Sequence, residues 1–429
     1  MTKAQALRAP TSPSWLVLLM AASLFINYID RGNLATAGPL LQADLHLTAT
    51  RFGVLLAAFY FTYTCAQFPA GWLADRYGAK IVLGIGAAIW SIATLLTGFV
   101  VGFYSVLALR FVLGIGESAG FTTTSKLIAE RVPAEHVGLA NGLTGFGYLV
   151  GPAVGTLLGG MLMARIGWRP VFILFGLASL IWLLPWSRVV VPEVTIAKAP
   201  AAPDVPIPSV GEILRERGLW GAAIGHFCGN YNFYFILGWL PSYLVSSRGF
   251  SMDEMAAVAS SAYALNAAAA LLAGWAIDRW VRAGGSATFA HKLPMALAHL
   301  LGIGCMLGIV VLPVKPALAC LYAYEVVLGF SSPGYFAIPQ IIAGTEAAAR
   351  WVGVQNGLGN LPGLFALTLT GVLIDATGSY WSAFVLAGIV NLVGFFGWVV
   401  ILPKVEPIDW AARGRAASLR RAARRAAAA

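Results

Sequence analysis

The chain has 429 residues, of which 59% are hydrophobic and only 11% charged, and its mean hydropathy is +0.78. An ordinary soluble chain carries about 25% charged residues, and a globule this long with so few cannot cover itself with a polar shell, which argues against a soluble enzyme, a nucleic-acid-binding domain and a disordered scaffold. The formal net charge of +10 then reads as Lys- and Arg-rich loops on one side of a membrane, and the class that remains is a polytopic membrane protein wetted by lipid.

From the N-terminus, a short polar stretch (1–14) leads into an apolar run without a cleavage site, so it reads as a tail before a retained helix. Apolar runs of about 20 residues can cross a bilayer as helices. Six are expected near 15–39, 52–73, 81–101, 104–128, 137–163 and 171–186. Six more are expected near 220–245, 256–277, 293–312, 316–342, 352–374 and 381–402. None alternates with period two as a lipid-facing barrel strand does. Between the two sets, residues 187–217 hold Pro192, Pro200, Pro203, Pro206 and Pro208, the composition of a solvated linker. The expected organisation is a first bundle at 1–186, the linker at 187–217, a second bundle at 218–404 and a basic tail at 405–429. The Ala- and Arg-rich end of that tail reads either as a short helix on an anionic leaflet or as a frayed end. Cys65, Cys228, Cys305 and Cys320 lie in apolar runs without metal spacing and read as small buried hydrophobes.

Placing the N-terminus inside leaves only Arg51, Arg165, Arg169, Arg248 and Lys315 among the outer loops, while Arg31 and Arg110 fall within helices. The other Lys and Arg are all on the inner side. This bias predicts a multi-pass membrane protein with both termini cytoplasmic.

The loop after the second run reads Gly71-Trp-Leu-Ala-Asp75-Arg76, and the loop after the eighth reads Gly274-Trp-Ala-Ile-Asp278-Arg279. Repetition at equivalent places in two six-helix halves makes this a strong signal. Gly71 is expected to let helices approach, and Asp75 and Arg76 to pair with a neighbouring helix end as a latch. The pattern resembles the signature loop of the major facilitator superfamily, with Ala79 where a basic residue is usual. The resemblance covers essentially the whole chain. It implies an all-α membrane protein of twelve transmembrane helices in two pseudo-symmetric six-helix bundles, rocking about a central site. In the fifth run, Gly147, Gly151, Pro152 and Gly155 resemble the superfamily's Gly-Pro motif, read here as a close helix crossing.

Five ionisable residues lie within the expected helices: Asp30, Arg31, Arg110, Glu117 and Glu325. Each costs at least about 2.5–3.5 kcal/mol at the bilayer centre on insertion scales, so function or mutual pairing is expected of them. Arg110 and Glu117 are seven residues apart, which returns them to one helix face about 10 Å apart along the axis. A buried Arg keeps its proton and is a fixed cation for a carboxylate. A carboxyl group held away from water can carry a proton. Together these suit a proton-coupled carrier of organic anions; structural salt bridges that exchange partners are the alternative.

Asn27-Tyr28-Ile-Asp30-Arg31-Gly-Asn33-Leu on the first run, with Arg110-Phe-x-x-Gly-x-x-Glu117 on the fourth, resembles the anion:cation symporter family. That family includes bacterial galactonate, glucarate and hexuronate importers and animal vesicular glutamate and sialic acid carriers. The resemblance implies that Asp30 and Glu117 are protonation sites, that Arg31 binds the substrate carboxylate, and that Arg110 pairs with Glu117 and responds to its protonation. Tyr28 and Tyr63 are candidates for the cavity wall or for interface anchors. Asn230, Tyr234, Asn356 and Asn360, with His226, Tyr231, Asn232 and Gln355, read as substrate ligands or as polar glue between helices. Ser331, Ser332 and Tyr335 flank Pro333, where the tenth helix is expected to break. Glu325 reads as a third proton site or as a group facing water near a helix end, and His226 and His299 as helix-packing residues.

The expected function is import of a sugar acid such as galactonate, glucarate or hexuronate with protons, with a small dicarboxylate or aromatic acid (tartrate, phthalate) as the rival substrate. A channel or receptor is the alternative of another class. No Gly-x-x-x-x-Gly-Lys loop and no His-Glu-x-x-His occurs, so no enzyme, cofactor or metal site is expected. The expected partners are a small organic anion, protons and membrane lipid, without nucleic acid, for a chain acting as a monomer.

Overall fold

The computed structural model describes residues 12–133, 136–190 and 208–410. Most of the expected linker (191–207) and of the basic tail (411–429) therefore lies outside the described residues. The described part is helical. The first half contains α1 (Pro13–Thr36), α2 (Gly38–Asp44), α3 (Ala49–Tyr77), α4 (Ala79–Thr97), α5 (Phe103–Glu117), α6 (Ala119–Arg131), α7 (Val137–Ile166) and α8 (Trp168–Ser187). After the short α9 (Val210–Ile213) come α10 (Arg217–Arg248), α11 (Met252–Arg282), α12 (Ala287–Val311), α13 (Val314–Ser331), α14 (Gly334–Asn360), α15 (Pro362–Thr377) and α16 (Trp381–Phe395), which runs on into a π-helical stretch (Phe396–Ile401).

These elements make the twelve expected spans, some from two pieces. The fourth joins α5 and α6 across Ser118. The tenth breaks at Ser332 and Pro333 and continues into α14. Within α14 the chain reverses at Gly344 (φ 69°, ψ 174°), a backbone conformation that glycine tolerates. Ten spans are long and apolar enough to cross a membrane by length and composition. The other two, α3 and α10, carry polar side chains through their middles: Tyr60, Thr62 and Tyr63 on α3, and His226, Asn230 and Asn232 on α10. Of the four cysteines only Cys228 is buried, and Cys65 is exposed. The expectation of burial fails because the apolar outer face of a membrane bundle packs against lipid and not against protein.

The halves meet along four helix pairs: α3 with α15, α7 with α11, α1 with α10, and α2 with α10. Small residues set the closest approaches. A Cβ on Gly53 would lie 2.4 Å from the Leu367 carbonyl oxygen, and one on Gly371 would lie 2.3 Å from that of Ala49. Polar contacts across the halves sit on the face opposite the termini. The Asp375 carboxylate accepts from the backbone N–H groups of Ala49 (3.0 Å) and Thr50 (2.7 Å), and Gln42 Nε2 donates to Ser242 Oγ (3.1 Å). The close approaches between the halves lie toward the same face, with Gly38 against Ser242 and Gly160 against Ala256 beside the contacts of Gly53 and Gly371. The interior cavity thus opens to the side that carries the termini.

Candidate functional site

Two polar regions meet at mid-depth. The first is built from α1, α3, α5 and α8. Arg31, Asp30, Glu117 and Arg110 are all buried, between 1% and 8% exposed. Glu117 Oε2 accepts from Arg31 Nε and Nη2, both at 3.1 Å, and Nη2 also donates to Asn27 Oδ1 at 3.3 Å. Three rings enclose the guanidinium, with centroids 4.3 Å (Tyr28), 4.6 Å (Tyr63) and 4.9 Å (Phe59) from Cζ. Aromatic faces attract a cation where little water competes, so the rings help hold the charge in place and leave its neutralisation to Glu117.

Arg110 does not pair with Glu117. Its Nε donates to the Leu55 carbonyl at 3.3 Å, and its guanidinium lies 5.0 Å from the Phe59 ring centroid. The expected Arg110–Glu117 pair is corrected to Arg31–Glu117. Two helical turns separate Arg110 from Glu117 along α5, whereas α1 crosses beside Glu117. Asp30, one step around α1 from Arg31, turns away toward α8 and accepts from Ser179 Oγ at 2.9 Å. Asp30 Oδ1 and Glu117 Oε1 are buried and accept no hydrogen bond among the described residues.

The second region is a cavity of about 410 Å³ against the second half. Tyr28, Asn230, Tyr234, Asn356 and Asn360 line it as expected; Tyr63 does not, but faces Arg31 instead. The amides are engaged with each other: Asn230 Nδ2 donates to the Gly359 carbonyl (2.8 Å), Tyr234 OH to Asn360 Oδ1 (2.7 Å) and Asn360 Nδ2 to Asn356 Oδ1 (2.9 Å). His226, Ser332, Tyr335 and Glu325 also line the wall. Tyr231, Asn232, Gln355, Ser331 and His299 do not. Gln355 instead bonds the Tyr335 carbonyl, and Asn232 and His299 both bond Asn391. Residues that the sequence reading passed over include Tyr148, Phe233, Tyr263, Asn266 and Phe336 in the wall, and Ser179 beside Asp30. An aromatic in an apolar run carries no sign of which face it takes, so only the packing reveals these.

The repeated loops sit on the terminus-bearing face. Asp75 pairs with Lys126 near the end of α6, a contact within the first half. Arg76 lies over the Trp72 and Tyr77 rings, and Arg279 over Trp275. Asp278 accepts from Arg282 Nε through its backbone carbonyl. The expected helix approach at Gly71 is absent, with nothing within 4 Å of a Cβ built there, and Gly274 meets only Pro333, at 3.9 Å. The cavity is open on this side, so neighbouring helix ends do not close over the loop.

The profile of the Major Facilitator Superfamily matches residues 20–367. Among characterised proteins, the chain is 29% identical over 406 residues to the hexuronate transporter of Bacillus subtilis (strain 168), covering 92% of this chain and 94% of that one. It is 28% identical over 426 residues to the D-galactonate transporter of Escherichia coli O6:H1, covering 93% and 98%. Among solved structures, a bacterial homologue of the human lysosomal transporter Spinster, in an inward-facing and occupied conformation, superposes with a TM-score of 0.75 over 92% of this chain and 96% of that one, at 16% identity. Twelve helices in two halves about a central cavity, and a profile match over most of the length, lead to one assignment: the chain belongs to the Major Facilitator Superfamily, as a transporter and not an enzyme.

Proposed function

We propose that the protein imports an organic anion together with protons by alternating access, and that the anion is a sugar acid such as galactonate, glucarate or a hexuronate. One observation carries the reading: Arg31 is a permanent cation at mid-depth whose sole ion-pair partner among the described residues is a carboxylate, Glu117. A substrate carboxylate competes for the same guanidinium. Protonating Glu117 removes the charge that holds Arg31, so proton binding and anion binding favour each other. Arg110 supplies a second fixed charge that favours the ionised form of Glu117 once the anion has left. Asp30 is the second proton site, with one oxygen free of hydrogen bonds. The names of the relatives, hexuronate and D-galactonate transporters, support the substrate class.

In this scheme residues 1–186 and 218–404 rock as two bodies joined by 187–217, in a monomer in a bacterial inner membrane with both termini cytoplasmic. Gly71, Asp75 and Arg76, with Gly274, Asp278 and Arg279, act as the gating loops when the terminus-bearing face closes. A second substrate reading, an aromatic acid or small dicarboxylate such as phthalate or tartrate, draws support from the cavity wall, where aromatic side chains such as Tyr28, Tyr148, Phe233, Tyr263 and Phe336 outnumber the asparagines. A thermal-shift screen of the purified carrier against sugar acids, dicarboxylates and aromatic acids at two pH values separates the readings. Stabilisation by sugar acids that strengthens at the lower pH is expected. Stabilisation by glucose, or by no anion at all, overturns the proposal.

A further inference from the structure

The buried Asp, Glu, Lys and Arg among the described residues are Asp30, Arg31, Arg110, Glu117 and Glu325. The first four lie in the first half, two cations with two carboxyls. Glu325, on α13, stands apart in the second half. It is 2% exposed and lines the cavity, whose wall among the described residues contains no Lys or Arg. Every element packed near it brings neutral polar or titratable groups. From α11 come Tyr263 and Asn266, whose Nδ2 donates to the Glu325 backbone carbonyl at 3.2 Å. From α12 comes His299, bound to Asn391 of α16. α10 brings His226, which stacks on Tyr335 of α14, and Tyr324 neighbours Glu325 on α13 itself. An ionised carboxylate here leaves the cavity with an uncompensated negative charge. An arriving anion then meets like charge in a compartment of low dielectric.

We propose that Glu325 is a proton-carrying carboxyl of the second half, neutral while the anion occupies the cavity. Its carboxylate takes one proton as the anion enters and releases that proton to the terminus-bearing side as the anion leaves. One proton per cycle is thereby added to those carried by Asp30 and Glu117. The inference rests on the anion–proton reading above. It is tested with the full-length chain in proteoliposomes, using radiolabelled D-galactonate and D-glucuronate as probes and an entrapped pH dye to count protons per anion. The proton-to-anion ratio is expected to fall by one in Glu325→Gln and to return to the wild-type value in Glu325→Asp. An unchanged ratio in Glu325→Gln, or equal loss in both variants, overturns the proposal. Absence of proton-coupled uptake in the wild type defeats the functional reading instead. A second arm leaves Glu325 untouched. In Asp30→Asn/Glu117→Gln, calorimetry in two buffers of different ionisation enthalpy is expected to find one proton taken up per bound anion. Binding without proton uptake overturns the proposal.

Discussion

Arg31 is charged at any physiological pH, so what varies around it is its partner. Two of its N–H groups converge on a single Glu117 oxygen at 3.1 Å, a grip that a bound carboxylate can reproduce. Truncating one partner of a buried charged pair costs about 2–5 kcal/mol, so Arg31→Ala is expected to weaken anion binding at least about thirtyfold. Arg31→Lys, which keeps the charge but loses the planar fork, should fall between. Titration calorimetry with the best anion of the screen measures both, and wild-type affinity in Arg31→Ala contradicts the role. Asp30→Asn and Glu117→Gln are each expected to lower the number of protons carried per anion by one, and so weaken accumulation driven by an acid exterior, while sparing exchange of anion for anion; an unchanged proton-to-anion ratio in both removes them as proton sites. At this scale the sequence displayed the ionisable residues, because charge inside an apolar run stands out. It did not display their pairing. Ser179 reaches Asp30 from 149 positions away, and Glu117 finds Arg31 and not Arg110 because helices cross where their small residues allow.

The crossing of α7 over α1 shows that rule at the level of elements. A Cβ on Gly147 would lie 2.6 Å from the Ala21 carbonyl oxygen, one on Gly151 2.7 Å from Tyr28 Cβ, and one on Gly155 3.0 Å from Ile29 Cα. The four-residue spacing puts all three on one face of α7. Tyr28, part of both the Arg31 enclosure and the cavity wall, is thus positioned by a glycine on another helix. Overpacking such a contact costs about 1–3 kcal/mol. Gly151→Val is therefore expected to lower both the melting temperature of the purified carrier and its anion affinity. Gly142→Ala, on the same helix with open space around it, should change neither. Equal melting temperatures for Gly151→Val and wild type would separate the crossing from stability. Hydropathy located the spans to within a few residues, since lipid imposes length and apolarity on each. Pro333 marked the break in the tenth span, but nothing in the composition of 103–131 marked the break at Ser118.

At the scale of the whole molecule, the open face was not legible at all. Under the alternating access proposed above, one sequence serves both conformations, so periodicity and charge bias are identical in both. Only the contacts distinguish them, and here they seal the face opposite the termini. Glycines at 53 and 371 bring α3 and α15 together, and Asp375 joins the halves by accepting the first free N–H groups of α3. A carboxylate at a helix N-terminus gains from the unpaired donors and from the helix dipole. The site is exposed to solvent, which puts its worth near the low end for charge-assisted hydrogen bonds, about 1.5 kcal/mol. That is about a tenfold change in the ratio of the two conformations. Asp375→Ala is accordingly expected to raise the population open on the opposite face about tenfold, and Asp375→Asn, which keeps one acceptor but loses the charge, by less. Spin labels at Leu45→Cys and Ser379→Cys report the sealed face, and labels at Gly142→Cys and Gly353→Cys the open one, in a background lacking the native cysteines. In Asp375→Ala the first pair should gain a longer-distance population while the second gains a shorter one. If both distributions match those of the Asp375 parent, the carboxylate is not what holds this face shut, and the close packing of α3 on α15 must do so alone.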